Sequence, residues 1–249
     1  MRKIINRIFS DKYVNHGAVV GNVLLLLMYR FAYPFAALLN KLHLSPNQIT
    51  TQSLVFSVLA FIALVYDEGW VWFSVFWGVS VLLDFCDGTV ARMANKISKS
   101  AFRYDHMSDL FKISLVILGV GLRYNETLVW VMAFSSCFVF MYGDALNREM
   151  HTAIKVNRQS TNDSVNSSSS TVRLRDRYRI VAGLVKHDVL FAIVKNMHAA
   201  LLTVNGHTLL LFFIFPFGNE FAFWGFTYLI LVELWTIRSR IASLIILRR

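Results

Sequence analysis

The chain is short of charge, short of acid and short of cysteine. Only 16% of its 249 residues are charged, against roughly 25% in soluble domains, and 56% are hydrophobic. Water is therefore not its main solvent, and an ordinary soluble domain is excluded. Its 15 acidic residues are outnumbered by 25 Lys and Arg, for a net charge of +10. A basic nucleic-acid domain would display such charge on a soluble face, whereas here it sits between apolar runs, so nucleic acid is not an expected partner. The two cysteines, Cys86 and Cys137, lie in apolar stretches, which excludes a disulfide framework and reads as packing. No small-x-small cleavage site precedes Arg30, which argues against a secretory signal in the basic, then apolar, N-terminus.

What the chain has instead is long apolar stretches. A membrane-spanning helix needs about 20 mostly apolar residues in a row, and six segments qualify: 47–66, 69–92, 101–122, 127–146, 198–217 and 220–238. Breaks at Asp67-Glu68-Gly69, Tyr124-Asn125-Glu126 and Phe217-Gly218-Asn219 separate them. The expectation is an all-α integral membrane protein of six spanning helices. Stretch 17–41 is also apolar, but it holds Asn22, Arg30 and Pro34, and spanning would carry Arg2, Lys3, Arg7 and Lys12 across. It reads as an N-terminal interfacial helix.

Four segments follow: 1–46 as a cytoplasmic and interfacial element, 47–146 as a four-helix front, 147–197 as a basic, Ser-rich linker, and 198–249 as two helices and a basic tail. Lys96, Lys99, the nine Lys or Arg of 147–197, and Arg238, Arg240, Arg248 and Arg249 all fall on one side, against Arg123 alone on the other. The positive-inside rule puts that side, with both termini, in the cytoplasm. Stretch 159–171 is too polar to bury a core and reads as a flexible linker. Arg173, Arg175, Arg177 and Arg179 after it suit lipid headgroups or another phosphate.

Four aspartates stand at or inside the ends of two apolar segments, where each ionised carboxylate costs several kcal/mol unless compensated. On a helix, Asp84, Asp87, Gly88, Ala91 and Arg92 share one stripe, and Ala101, Asp105 and Asp109 recur every fourth residue on the next. If the stripes face each other, four carboxylates converge, a donor set for hard divalent cations and substrate phosphates. Ion-paired helix ends are the plainer reading, with Arg92, Arg103 and Lys112 as neutralisers. Clustered intramembrane carboxylates also mark cation transporters, although a transporter favours the bilayer midplane and broken helices.

The run Asp84-x2-Asp87-Gly88-x2-Ala91-Arg92-x8-Ala101-x3-Asp105-x3-Asp109 resembles the signature of CDP-alcohol phosphatidyltransferases, with Ala101 where that family has glycine. Ser45-Pro46-Asn47-Gln48-Ile49-Thr50 resembles the family's entry to its first span, so the likeness covers about 30–150. The resemblance implies a six-helix fold with a polar cavity open to the cytoplasm. It implies transfer of a phosphatidyl-type group from a CDP-linked lipid, such as CDP-diacylglycerol, to an alcohol, with release of CMP. Asp84, Asp87 and Asp105 would hold Mg²⁺ or Mn²⁺, two ions in all, and Asp109 would complete the metal site and act as general base. Gly88, Ala91, Arg92 and Ala101 would line the CDP portion, and a homodimer is a further implication.

Among lesser candidates, His106 points about 100° away from Asp105 around the helix and reads as outside the site. His207, with Asn205 and Gly206, and Glu233 read as packing groups inside the bundle. Asp144, Asn147 and Arg148 read as a helix end or the border of an acceptor pocket. Trp70, Trp72, Phe73, Phe76 and Trp77 read as an outer aromatic belt.

The charge distribution makes a direct prediction. A cysteine placed at Ser168 should react with an impermeant maleimide only after the membrane is opened, and labelling of intact cells would reverse the orientation.

Overall fold

The computed structural model describes residues 13, 23–66, 70–95, 99–164 and 218–247. Among these the chain is helical and forms no strand. Six helices follow in order: α1 (Val23–Lys41), α2 (Pro46–Tyr66), α3 (Trp70–Met93), α4 (Lys99–Tyr124), α5 (Thr127–Ser164) and α6 (Asn219–Leu247). The expected span 198–217, with His207, and the Arg173–Arg179 run lie outside the described residues.

The helix ends have local causes. Ser45 and Gln48 form a capping box at the head of α2: Gln48 Oε1 accepts the Ser45 amide at 2.8 Å, and Ser45 Oγ accepts the Gln48 amide at 3.3 Å. Pro46 occupies the first helical position, where no amide is needed. α1 stops in a Schellman turn, with Leu44 N–H bonded to Leu39 C=O and His43 N–H to Asn40 C=O while His43 takes φ 57°. Asn95 and Asn125, at φ 52° and 49°, end α3 and α4 in the left-handed region that asparagine tolerates.

Among the described residues, four helices are long and apolar enough to cross a membrane: α2, α3, Thr127–Ile154 of α5 and Asn219–Ala242 of α6. They contain the expected segments 47–66, most of 69–92, 127–146 and 220–238. α4 contains 101–122 as a helix of 26 residues, but Lys99, Arg103, Asp105, Asp109 and Lys112 crowd its first half, and it does not qualify by composition alone. α5 passes the expected end at 146 and stays helical through Ser164. Its 38 residues measure about 57 Å, well beyond a hydrocarbon core of roughly 30 Å. Residues 159–164, expected as flexible linker, belong to this helix. Residues 144–164 contain no proline or glycine to stop it, and leaving the lipid does not itself end a helix.

Packing is inverted relative to a soluble protein. α2 turns Thr50, Ser53, Ser57 and Ala60 inward and Val55, Val58, Leu59 and Ile62 outward, since small residues bring membrane helices close while bulky ones meet lipid. Its chief partners are α3 and α4. Ser53 and Ser80 lock α2 to α3 by reciprocal bonds, each hydroxyl donating to the other's carbonyl at 2.8 Å. The main apolar core joins Leu64, Phe73, Trp77, Val116, Val120, Ala133 and Phe226, and α6 completes it by packing on α5. The aromatic belt is thus corrected in part: Trp70 and Trp72 face outward, but Phe73 and Trp77 are fully buried, because a helix turns residues three and four apart onto one inward face. α1 lies on α3 through Ala32 and Ala36 against Cys86 and Val90. Cys86 and Cys137 are free thiols, as expected of packing residues.

Gly119 of α4 lies against the side chains of Phe61 and Leu64 of α2. A Cβ there would stand 2.7 Å from Leu64 Cδ2 and 3.0 Å from Phe61 Cδ2. Gly119→Val should lower stability by about 1–3 kcal/mol through overpacking, read as an earlier thermal midpoint in detergent, whereas Gly78→Ala, with nothing near its would-be Cβ, should leave it unchanged.

Candidate active site

The end of α3 and the first half of α4 bring the two aspartate stripes together. One carboxylate oxygen each from Asp84, Asp105 and Asp109 lie within 4.8 Å of one another. Asp87 is one turn along α3, buried, with Oδ2 accepting the Thr50 hydroxyl at 2.6 Å. Three helices therefore build the site: α3 and α4 supply acid, and α2 supplies the hydroxyl that fixes one acid.

Lys112 lies at the centre of this cluster. Its side chain is 5% exposed, it is ion-paired to Asp84 Oδ1 and, at 2.8 Å, to Asp109 Oδ1, and it donates to Ser53 Oγ at 3.2 Å. Lys112 follows Asp109 by three residues and so sits on a neighbouring angle of α4, but its long side chain reaches across that offset. The plainer reading of ion-paired helix ends thus holds for Lys112 and not for Arg92, which meets no carboxylate among the described residues.

Arg92 folds back along α3 instead. Its Nη2 donates to Thr89 Oγ1 at 3.3 Å, its Nε to the Tyr13 carbonyl, and its guanidinium lies 5.2 Å from the centre of the Tyr29 ring. Tyr29 of α1 is itself set edge-on to Phe85 at 5.1 Å. Gly88 lies under this guanidinium: a Cβ there would stand 3.3 Å from Arg92 Nη1, a contact that the side chain would have to ease by a few tenths of an ångström. Ala91 is half-buried on the same stripe, and Ala101 occupies the first turn of α4.

The residues fit a divalent cation. The donors are carboxylate oxygens, the hard type that Mg²⁺ and Mn²⁺ prefer. Asp105 Oδ1 is buried without a hydrogen-bond partner, an arrangement that costs free energy unless a cation completes it.

The remaining candidates stand elsewhere. His106 turns from the cluster, with Nε2 3.0 Å from Asp144 Oδ1, and Asp144 also pairs with Arg148 at 2.7 Å. Glu233 is buried and bonded by Thr236 at 3.1 Å, and Gly143 of α5 gives it room, since a Cβ there would come within 2.9 Å of Oε2. Neither His106 nor Glu233 stands among the site's carboxylates. Sequence reasoning missed the Thr50–Asp87 bond and the Tyr29–Arg92 stack, whose partners are 37 and 63 residues apart. The Ser-Pro-x-Gln cap that fixes the start of α2, and with it the phase of Thr50, was the available signal.

The family model for CDP-alcohol phosphatidyltransferases matches residues 43–172. The chain belongs to this family. A search of curated proteins gives no match. The match takes in α2 to α5, and so all four aspartates, Thr50 and Lys112, while α1 with Tyr29 and α6 fall outside it. Membership makes the chain a phosphotransferase of the membrane, and its carboxylate triad is able to hold a metal ion.

Thr50→Val should leave Asp87 Oδ2 without its bond and cost about 1–3 kcal/mol, read as a lower thermal midpoint in detergent. Thr50→Ser should restore most of it, and equal stability of the Val variant would show that the hydroxyl is dispensable to the fold.

Proposed function

We propose that the chain transfers a phosphatidyl-type group from a CDP-linked lipid, such as CDP-diacylglycerol, to an alcohol, releasing CMP. The observation that carries this reading is the meeting of the Asp84–Asp87 and Asp105–Asp109 stripes beside an arginine stretched over a glycine. The reaction balances simply: the acceptor oxygen bonds to the β-phosphorus, the bond from that phosphorus to the oxygen of CMP breaks, and the hydroxyl proton leaves to a base.

Asp84, Asp87 and Asp105 would hold the divalent ions, with Asp109 completing the set. Two such ions, when bound, neutralise the diphosphate and stabilise charge on the phosphoryl oxygens. By the family resemblance Gly88, Ala91 and Ala101 would line the CDP portion, and Arg92 would offer its guanidinium to phosphate. Tyr29 keeps that guanidinium lying along α3 rather than turned into the acid cluster, where it would neutralise ligands. Asp109 accepts the acceptor's proton as the new bond forms.

The membrane arrangement we propose has six spans, α4 and segment 198–217 included, with α1 lying at the interface and both termini in the cytoplasm. α4 is supported as a span by its burial: Val116, Ile117 and Val120 in its apolar half are fully covered by the neighbouring helices, and Ser108 and Lys112 in its charged half are buried as well. The outward row Leu27, Phe31, Phe35 and Leu38 of α1 suits immersion in the headgroup–acyl boundary.

The direct test is purified protein with labelled CDP-diacylglycerol, Mg²⁺ or Mn²⁺ and a panel of alcohols, followed as CMP release; absence of release with every alcohol would sink the proposal. The aspartates should separate. Asp109→Asn is expected to cut turnover by about 10²–10⁴-fold, the usual loss of a general base, while keeping most metal-dependent CDP binding. Asp87→Asn should weaken both. Calorimetric titration of CDP with Mg²⁺ checks this, and equal loss of nucleotide affinity in the two variants would make Asp109 chiefly a metal ligand.

A further inference from the structure

Lys112 is the one cation that the described residues place among the site's carboxylates, and its three partners come from three helices: Ser53 of α2, Asp84 of α3 and Asp109 on its own helix, α4. Two of these carboxylates belong to the triad whose oxygens lie within 4.8 Å of one another. A divalent ion and the ammonium therefore want the same oxygens of Asp84 and Asp109. They repel each other, and each carboxylate oxygen has limited lone-pair capacity to share.

We propose that Lys112 is a built-in counter-ion that holds the carboxylate cluster together before metal arrives and yields Asp84 and Asp109 to the metal by withdrawing onto Ser53. The geometry supplies both ends of that movement. Ser53 Oγ is already 3.2 Å from Nζ, and it spends its own proton on the Ser80 carbonyl at 2.8 Å, so its lone pairs stay available as acceptors. Ser80 fixes this shelf by its return bond to the Ser53 carbonyl. Metal-free, the ammonium offsets one of four charges in an apolar bundle, and the fold is not made hostage to metal supply. Metal-loaded, it retains a partner within the helix pair α2–α3 and does not have to cross into lipid.

This inference rests on the reading of the aspartates as a divalent-cation site and is tested without turnover. The full chain in detergent is titrated with Mn²⁺ alone by calorimetry, and thermal unfolding is followed with and without Mn²⁺. Lys112→Met should tighten Mn²⁺ binding by about tenfold, because a competing charge is gone. It should also lower the metal-free midpoint, with Mn²⁺ recovering more than it adds to the wild type. Ser53→Ala removes the ammonium's fallback partner and should weaken Mn²⁺ binding by about threefold. Unchanged or weaker binding in Lys112→Met overturns the proposal and makes Lys112 an organiser of ligands. If Lys112→Met yields no folded protein, Ser53→Ala decides alone: weaker Mn²⁺ binding supports the proposal, and unchanged binding overturns it. No Mn²⁺ binding by the wild type would instead sink the cation-site reading itself.

Discussion

Four carboxylates gathered in an apolar bundle repel one another and forgo water, and the local structure around them is organised to offset that. Lys112 sits between Asp84 and Asp109, Thr50 donates to Asp87, and Asp105 keeps one buried oxygen without a partner. A bundle built for stability alone would replace such a cluster with apolar side chains, which often pack as well or better than buried ions. Keeping it, incompletely satisfied, is the mark of a site that expects a ligand.

The rest of the front half can be derived from bringing that cluster together. α2, α3 and α4 must approach closely, so their contacts use Ser53, Ser57, Ala60, Ser80 and Gly119 in place of large side chains. Close approach then lets short hydroxyls reach across helices, which is how Thr50 and Ser53 of α2 come to serve groups on α3 and α4. The bulky apolar residues are displaced to the outside, where lipid accepts them, and to the far end of the bundle around Trp77 and Phe226.

How much of this could be read from residues alone depended on whether a feature repeats along one helix. The aspartate stripes do: spacings of three and four fix the face without knowledge of any neighbour, and both stripes meet as their spacing implies. Apolar length likewise located α2, α3 and the membrane parts of α5 and α6. Contacts between helices depend on rotation and depth, which no single segment encodes. Thus Lys112 looked like one of three interchangeable neutralisers, Phe73 and Trp77 looked like belt residues, and Tyr29 carried no signal. Helix ends set by caps were legible at Ser45-Pro46; the end of α5 was not, because hydropathy reports where lipid stops and not where hydrogen bonding does.

The position of the cluster along its helices bears on what it does. Asp84 and Asp87 occupy the last three turns of α3 and Asp105 and Asp109 the first three of α4, on either side of a short turn. An ion path needs carboxylates that hand a cation onward through the bilayer, commonly at breaks in helices, but α3 and α4 run unbroken through the cluster, and beyond it toward their other ends lies the closed apolar core around Phe73, Trp77, Val116 and Val120. A cation entering here meets no further carboxylate along either helix, only the hydroxyls of Ser53, Ser57 and Ser80. It does find an arginine on the stripe of Asp84 and Asp87, committed to neither carboxylate and stretched over a glycine. A cation beside a separately held guanidinium is an arrangement for an anion with several oxygens, and a diphosphate ester fits that description where a passing metal ion does not.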